Sequence, residues 1–315
     1  MMMAKVAFVF PGQGSQSVGM GKDFFEQSET AKNIYEAFNR IVDSKLSDVC
    51  FNGPEEELRR TLYTQPAILA TSLAALTLLR EKTNLTPVAV AGHSLGEYAA
   101  LYASGVIDLE TAAKLVQKRS ELMEQAPKGA MAAVLNLDAD KIEAVIKQTS
   151  EQSGKVLTIA NYNTDAQVVI SGEPEAVEAV MEPLKTAGAK RVMPLPVGGA
   201  FHSPLMNNAA ETFGRFVQDF EFNNPVVPVV TNVDASATTS GPECQSKLGK
   251  QINHSVRWTQ SMAVMVNDLG IDTVIEIGPG KVLGGMFKKS HPHVTVHHVF
   301  DVASLSELLS ALQPA

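Results

Sequence analysis

The chain has 315 residues, of which 45% are hydrophobic, 19% charged and 6% aromatic. At roughly 100–200 residues per domain, this length predicts one large domain or two unequal ones. The apolar fraction is typical of globular proteins and excludes collagen-like chains and wholesale disorder. The net charge of −8 excludes a protein whose main work is to coat nucleic acid, because such a chain repels phosphate.

Cysteine content and hydropathy narrow the class of protein further. Cys50 and Cys244 are too few for a disulfide framework and lack metal-ligand spacing, so we expect two small buried side chains. No run approaches the ~18 uninterrupted apolar residues of a membrane span, since the most apolar candidate, residues 66–79, is shorter. The start lacks the features of a secretory signal, and Met1-Met2-Met3 leaves the true first residue open. We expect a cytoplasmic protein without a membrane partner.

Short apolar runs closed by glycine or proline mark the predicted main sheet. They cover residues 5–10, 88–91 and 273–277. Because these runs do not alternate with polar residues, they predict strands buried on both faces, as in a parallel sheet covered by helices. Segments of helical period lie between them, over residues 23–42, 65–79 and 109–125. The main body is therefore predicted to be α/β.

The pattern changes between residues 129 and 197. Six elements are predicted there, in the order strand, helix, strand, strand, helix and strand. They cover residues 131–135, 138–149, 156–160, 167–171, 173–187 and 190–195. This is the order of a ferredoxin-like unit. We predict a subdomain of residues 129–197 inserted into a core formed by residues 1–128 and 198–315. Later in the chain, residues 225–230 predict a strand and residues 304–312 a terminal helix.

The sharpest local signal is Gly92-His93-Ser94-Leu95-Gly96, which lies between the second apolar run and a helix predicted over residues 97–104. This is a G-x-S-x-G motif in the strand–turn–helix context that the motif requires. The glycines permit a tight turn that exposes the serine, and the N–H of Leu95 at the helix start can face a developing oxyanion. The motif predicts that Ser94 is a nucleophile, with a structural glycine–serine turn as the alternative.

A nucleophilic serine needs a base, and seven histidines compete for that role. His93 belongs to the turn itself, and nothing in the polar segment around His254 recommends it. The histidines of residues 291–298 lack a carboxylate or cysteine at metal-ligand spacing, so they predict a solvated strand edge and no metal site. His202, where the chain re-enters the core, is the remaining candidate, and residue chemistry alone leaves the choice open.

Six motifs occur in order and together resemble the malonyl-CoA:acyl carrier protein transacylases of dissociated fatty acid synthesis, which are relatives of polyketide synthase acyltransferase domains. The motifs are Pro11-Gly12-Gln13-Gly14-Ser15-Gln16, Gly92-His93-Ser94-Leu95-Gly96-Glu97, Gln117-Lys118-Arg119-Ser120, Ala200-Phe201-His202-Ser203, Gln251 ahead of Val256-Arg257-Trp258, and Glu276-Ile277-Gly278-Pro279-Gly280. The resemblance covers essentially the whole chain. It implies an α/β-hydrolase-like core with a ferredoxin-like insertion.

The resemblance also implies roles for particular residues. Ser94 would be the nucleophile and His202 the general base, with the main-chain carbonyl of Gln251 orienting the histidine. The N–H groups of Gln13 and Leu95 would form the oxyanion hole. A hydrolase would instead orient its histidine with a carboxylate. We expect no carboxylate to orient His202, because it would add negative charge near an anionic acyl group.

The acyl group itself is implied to be malonyl. Arg119 would bind its carboxylate, because a guanidinium offers the matching pair of N–H groups; without the resemblance, a solvated arginine is the alternative. Phe201 would crowd an α-methyl branch and so favour malonyl over methylmalonyl. Further substrate-binding residues implied by the resemblance are Asn161, Asn163, Gln65 and Met123.

The implied reaction is ping-pong transfer of malonyl from malonyl-CoA to the phosphopantetheine thiol of an acyl carrier protein, without a metal or redox cofactor. Acyl carrier proteins are acidic, as is this chain, so docking requires a local basic patch. The candidate docking residues, with scattered solvated lysines as the alternative, are Lys190, Arg191, Lys281, Lys288 and Lys289. We expect a monomer.

Three other functions stay open at this point: a trans-acting acyltransferase of a polyketide synthase, a serine hydrolase and a non-catalytic scaffold. Arg119 and the missing acid fit a hydrolase poorly. One departure from the family pattern is Ser255, where many relatives carry proline before Val-Arg-Trp. It predicts a less rigid segment around the Gln251 carbonyl.

Overall fold

The computed structural model describes residues 4–42 and 44–312, which form an α/β core and a smaller antiparallel subdomain. The strands in chain order are β1 (Val6–Phe10), β2 (Ala89–Gly92), β3 (Ala130–Leu135), β4 (Leu157–Thr164), β5 (Gln167–Gly172), β6 (Arg191–Pro194), β7 (Val229–Val230), β8 (Ala237–Thr238), β9 (Thr273–Ile277) and β10 (Thr295–Val299). The predicted fold class is confirmed.

Fourteen α-helices within the described residues pack around the sheets of the core and the subdomain. In chain order they are α1 (Lys22–Gln27), α2 (Glu29–Ile41), α3 (Leu46–Asn52), α4 (Glu55–Leu58), α5 (Thr61–Lys82), α6 (Gly96–Ala103), α7 (Leu109–Glu124), α8 (Ala139–Ser153), α9 (Pro174–Thr186), α10 (Asn207–Val217), α11 (Gly241–Lys250), α12 (Trp258–Ala263), α13 (Val282–Ser290) and α14 (Val302–Leu312). A π-helical turn, Val264–Asp268, extends α12.

The main sheet has the order β10-β9-β1-β2-β7-β8, and every neighbouring pair is parallel except β7 with β8. Every residue of β1 is buried, as expected for a strand that is covered on both faces. Phe10 is in register with Gly92 at the carboxyl ends of β1 and β2. The loops that follow these two strands therefore lie side by side.

Two predicted elements are much longer than the observed ones. The single helix predicted over residues 23–42 is wrong, because the helix breaks at Ser28, which is extended and accepts a hydrogen bond from the N–H of Ala31 (3.2 Å) to cap α2. The strand predicted over residues 225–230 is also too long. Only β7 pairs, since Pro225 and Pro228 carry no N–H for a ladder and Val226 is 80% exposed.

Helix α5 is longer than the apolar segment predicted over residues 66–79. With 22 residues it is long and apolar enough, by length and composition alone, to cross a membrane. However, 83% of its apolar window is buried inside the protein, where it packs against α2 and α7. A helix that is hydrophobic all round is also typical of a protein core.

The cysteines are buried as predicted, and neither forms a disulfide. Cys50 contacts the backbone carbonyl of Met20 and the hydroxyl of Thr71. Burial raises the pKa of its thiol to about 12. We therefore interpret Cys50 as a packing residue.

The subdomain sheet has the order β4-β5-β3-β6 and is antiparallel throughout. Side chains alternate along β3. Ala132 and Val134 belong to the subdomain's own core with residues of α8 and α9, whereas Met131 and Ala133 belong to the main core cluster. The second face of this sheet is thus turned toward the core domain.

Two short pairings join the subdomain to the core. Lys128 pairs with Gly199 where the chain enters and leaves the insertion, and Asn161 pairs with Val256. Ser255 Oγ also donates to the carbonyl of Ile159 (2.6 Å). The segment predicted to be less rigid is therefore anchored. Met1–Met3 and the last three residues of the predicted core lie outside the described residues.

Candidate active site

Ser94 lies at the turn between β2 and α6, with a φ of 50° in the left-handed region. A Cβ on Gly92 would overlap the backbone of Gly96, and a Cβ on Gly96 would overlap the carbonyl of Phe10. Both glycines of the motif are thus required by the close approach of α6 to the strands. This turn presents the serine hydroxyl at the carboxyl edge of the sheet.

Asn232, which sequence reasoning missed, fastens this turn from the loop after β7. Its Oδ1 accepts the N–H of Ser94 (2.7 Å), and its Nδ2 donates to the carbonyl of Gly92 (2.7 Å). The side chain is fully buried. No local motif could have identified Asn232, because it lies 138 residues from Ser94 in sequence and reaches the turn only through the pairing of β7 with β2.

His202 is the histidine that the fold brings to Ser94, with 2.8 Å between Nε2 and Oγ. Its Nδ1 lies 3.0 Å from the main-chain carbonyls of both Gln251 and His254. A carbonyl can only accept, so the network assigns the proton to Nδ1 and leaves Nε2 to accept from the serine. The carbonyl of His254, a residue that sequence reasoning set aside, therefore contributes to the site.

Burial first, and the charge of Arg119 second, lower the pKa of His202 to about 3. The imidazole is 4% exposed. Its neutral form therefore dominates at neutral pH, which is the form that can remove a proton from Ser94.

Two backbone donors are available beside the serine hydroxyl. Gln13 lies in the loop after β1, and Leu95 directly follows the nucleophile. Within residues 4–42 and 44–312, neither N–H donates to another protein group. Donors kept without a protein partner at this edge suit an oxyanion hole.

Arg119 reaches the same point from α7 and is 1% exposed, which excludes the solvated-arginine alternative. Its Nη2 donates to Ser94 Oγ (2.9 Å) and to Gln251 Oε1 (3.2 Å). The guanidinium carbon also lies 5.7 Å from the ring centroid of Tyr98. None of the carboxylates in the described part of the chain forms an ion pair with Arg119. A buried cation beside a nucleophile, without an ion pair among the described residues, is suited to receive an anion.

Glu97 is a buried carboxyl group beside the site that sequence reasoning did not identify. The side chain is 1% exposed, and its Oε2 accepts from Gln251 Nε2 (2.9 Å) and the N–H of Asn232 (3.0 Å). Burial raises its pKa to about 7. Glu97 contacts the Gln251 side chain and not His202, so it does not complete a hydrolase triad.

Two neighbouring cavities form a cleft between the core and the subdomain. The inner cavity, about 100 Å³, is lined by Ser94, Arg119, Met123 and Phe201 among others. The outer cavity, about 190 Å³, extends from the loop after β1 to α13. Both are lined by Asn161. An inner cavity of this size is suited to a short acyl group.

Of the two remaining predicted pocket residues, Asn163 lines the cleft and Gln65 lies behind it. Asn163 lines the outer cavity and holds His93, with 2.8 Å between Oδ1 and Nε2. Gln65 lies behind the inner cavity, where its Nε2 is 3.3 Å from Met123 Sδ and 3.5 Å from Gln13 Oε1. Gln65 therefore contacts lining residues without being one of them.

The predicted docking residues are all exposed but fall in two groups. Lys190 and Arg191 lie at the start of β6, the edge strand of the subdomain. Lys281 precedes α13, with its Nζ 4.5 Å from the ring centroid of Phe300, and Lys288 and Lys289 end that helix. Since residues of α13 line the outer cavity, the second group flanks the cleft.

The histidine-rich segment shows no metal site. His297 and His298 lie on β10, an edge strand of the main sheet, and are partly exposed. In the part of the chain that the structure describes, no cluster of three or more histidine, cysteine, aspartate or glutamate residues is arranged to hold a metal.

Comparisons with known proteins agree on one family. Residues 7–303 match the acyl transferase domain. The malonyl CoA-acyl carrier protein transacylase of Bacillus subtilis is 40% identical over 314 residues, which cover 99% of this chain and 98% of the relative. Among solved structures, an acyl carrier protein S-malonyltransferase from Vibrio cholerae has a TM-score of 0.92 at 40% identity, covering 97% of this chain and 100% of that one. A malonyl-transacylase in complex with a type II polyketide synthase acyl-carrier protein has a TM-score of 0.93 at 38% identity, covering 98% and 100%.

Proposed function

The chain belongs to the acyl transferase domain family, and from this membership we propose that it transfers malonyl from malonyl-CoA to an acyl carrier protein for fatty acid synthesis. It is an acyltransferase. The observation that carries the choice of malonyl is the buried guanidinium of Arg119, 2.9 Å from Ser94 Oγ and without a carboxylate partner among the described residues.

The first half-reaction loads Ser94. His202 Nε2 takes the hydroxyl proton as Oγ attacks the thioester carbonyl of malonyl-CoA, and the N–H groups of Gln13 and Leu95 stabilise the resulting oxyanion. The tetrahedral intermediate collapses with cleavage of the carbon–sulfur bond. His202 returns its proton to the departing sulfur, which leaves CoA and a malonyl ester on Ser94.

The second half-reaction unloads the ester onto the carrier protein. The phosphopantetheine thiol gives its proton to His202, and its sulfur attacks the ester carbonyl in the same oxyanion hole. Collapse restores Ser94 Oγ, which recovers the proton from His202. The outer cavity between Asn161 and α13 is the path by which we propose the phosphopantetheine arm enters.

Arg119 selects the acyl group because a carboxylate entering this buried site needs a cation to offset its loss of water. The guanidinium offers a planar pair of donors for it. Phe201, 6% exposed, lines the inner cavity and limits branching at the α-carbon. A one-methyl difference gives partial discrimination.

The test compares malonyl with acetyl loading in Arg119→Ala. Losing a buried charged hydrogen-bond partner costs on the order of 100-fold in transfer. We expect that loss for malonyl-CoA and a much smaller one for acetyl-CoA, measured as initial rates of CoA release. Equal losses for both donors would show that Arg119 does not bind the carboxylate.

The fatty acid and polyketide alternatives share this chemistry and differ in the carrier protein. The neighbour solved with a polyketide synthase carrier protein keeps the second alternative open as a partner choice. A serine hydrolase fits less well, because the carboxylate nearest the site, Glu97, does not contact His202.

The remaining parts of the proposal concern oligomeric state, location, cofactors and the docking surface. We propose a monomer located in the cytoplasm that acts without metal or redox cofactor, with malonyl-CoA and CoA as small-molecule partners. The docking surface combines Lys281, Lys288 and Lys289 near the outer cavity with Lys190 and Arg191 on the subdomain.

A further inference from the structure

Glu97 is a buried carboxyl group to which the proposed reaction assigns no role. It lies in the first turn of α6, three residues after Ser94, and is 1% exposed. A carboxyl group loses hydration when it is buried, so a buried carboxyl group this close to the nucleophile needs a physical reason. Its contacts supply one.

The contacts of Glu97 pass through the side-chain amide of Gln251. Gln251 Nε2 donates to Glu97 Oε2 (2.9 Å) and to the carbonyl of Ser94 (2.9 Å), while its Oε1 accepts from Arg119 Nη2 (3.2 Å). An amide has one donor end and one acceptor end. Rotating it by 180° would put N–H groups against the guanidinium and oxygen against the carboxylate. Glu97 and the carbonyl of Ser94 thus together select the orientation that gives Arg119 an acceptor.

Arg119 completes the connection to the reacting atom. The same Nη2 that donates to Gln251 also donates to Ser94 Oγ (2.9 Å). The backbone N–H of Asn232, whose side chain holds the Ser94 turn, donates to Glu97 Oε2 (3.0 Å). One carboxylate oxygen therefore anchors groups on both sides of the nucleophile.

We propose that Glu97 is a positioning residue for acyl-group selection: through the Gln251 amide, it holds the Arg119 guanidinium where the acyl carboxylate binds. This inference rests on the proposed function, in which Arg119 receives the malonyl carboxylate. Glu97 touches no reacting atom. Its loss should therefore reduce loading from a donor that carries a carboxylate more than loading from a donor that does not.

Two substitutions separate the hydrogen bond from the charge. Glu97→Gln keeps an oxygen acceptor in a side chain of the same shape, whereas Glu97→Met has similar length and no acceptor of comparable strength. A buried hydrogen bond to a charged group contributes about 1.5–3 kcal/mol. We expect Glu97→Met to lower kcat/KM for malonyl loading on the order of 30-fold, mainly through KM, and Glu97→Gln to restore most of it.

The measurement is the rate of CoA release from malonyl-CoA and acetyl-CoA by the full-length protein, with Glu276→Gln as the control. Glu276 is a fully buried carboxylate that accepts the N–H groups of Leu283 and Gly284 at the start of α13. This control should leave the malonyl-to-acetyl ratio unchanged. In Glu97→Met, acetyl loading should fall much less than malonyl loading, by about threefold at most, because Glu97 takes no part in the Ser94–His202 hydrogen bond.

A double variant distinguishes an effect that passes through Gln251 from a general loss of stability. If Glu97 acts through Gln251, then Glu97→Met with Gln251→Met should lose no more malonyl loading than the more damaged single variant. Additive losses, equal losses for both donors or failure of Glu97→Gln to rescue would each overturn the proposal. A wild-type protein that does not prefer malonyl-CoA would instead refute the proposed function, independently of any Glu97 variant.

Discussion

Ser94 and His202, the two residues that exchange the proton, both hold backbone conformations that L-residues avoid. Their φ angles are 50° and 57°, and each such conformation costs of order 1–3 kcal/mol unless its surroundings hold it. Asn232 holds Ser94 through two hydrogen bonds, and the N–H of His202 donates to the carbonyl of Ile252 (3.0 Å). The reactive geometry is therefore built into the fold before a substrate binds.

Glu97 should make stability depend on pH. Burial raises its pKa to about 7 from 4.5, with a smaller rise from Asp234, while Gln251, Asn232 and Arg119 oppose the rise. A carboxyl group whose pKa is higher in the folded chain favours folding below its unfolded pKa of 4.5, and this contribution is lost as the pH rises through 7.

Glu97→Gln removes this titration. Its free energy of unfolding should therefore rise relative to wild type by about 2–3 kcal/mol between pH 5 and pH 8. Urea unfolding of both proteins at a series of pH values measures this difference. A difference between the two proteins that stays constant with pH would show that Glu97 does not titrate in this range.

At the scale of elements, the packing of α6 against β1 and β2 depends on its glycines. A Cβ at Gly96 would overlap the carbonyl of Phe10, so we expect Gly96→Ala to lower the free energy of unfolding by roughly 2–3 kcal/mol. Gly285→Ala on α13 is the matched control, since a Cβ there meets no atom within 4 Å. It should leave stability unchanged or raise it by up to about 1 kcal/mol. Similar urea midpoints for the two variants would contradict this packing.

The strands of the main sheet could be predicted because burial on both faces leaves an uninterrupted apolar run, as in β1 and β9. Short polar helices such as α11 give no comparable signal. The break at Ser28 was not predicted because the apolar period continues across it. The local feature that starts α2 there is a single hydrogen bond, the N-cap formed by the Ser28 side chain. The length of α5 was missed because its polar ends, Thr61 to Gln65 and Arg80 to Lys82, lie outside the apolar run.

At the scale of the whole molecule, the site is assembled from distant parts of the chain. The motif identified Ser94 from neighbouring residues alone, whereas His202 needed the resemblance to a family. Asn232 lies in none of the motifs, and Glu97 ends the serine motif without an assigned role, because the roles of both depend on contacts across more than 130 residues of sequence.

Carrier docking requires the acidic molecule, with its net charge of −8, to present a basic patch. We expect Lys288→Glu with Lys289→Glu to raise the KM for acyl carrier protein several-fold through like-charge repulsion, while malonyl loading from CoA is retained. The control is the same reversal at Lys141 and Lys147, which are exposed on α8 of the subdomain. Equal loss in both half-reactions, or an equal effect of the control, would argue against docking at α13.

The covalent ester on Ser94 is the central claim, and intact mass after brief mixing with malonyl-CoA tests it most directly. Wild type should gain one malonyl group and lose it when acyl carrier protein is added, whereas Ser94→Ala should gain none. Acetyl-CoA and methylmalonyl-CoA, run in parallel, should give less adduct. Release of CoA without an adduct would indicate hydrolysis, and an adduct on Ser94→Ala would place the nucleophile elsewhere; either result would contradict the mechanism.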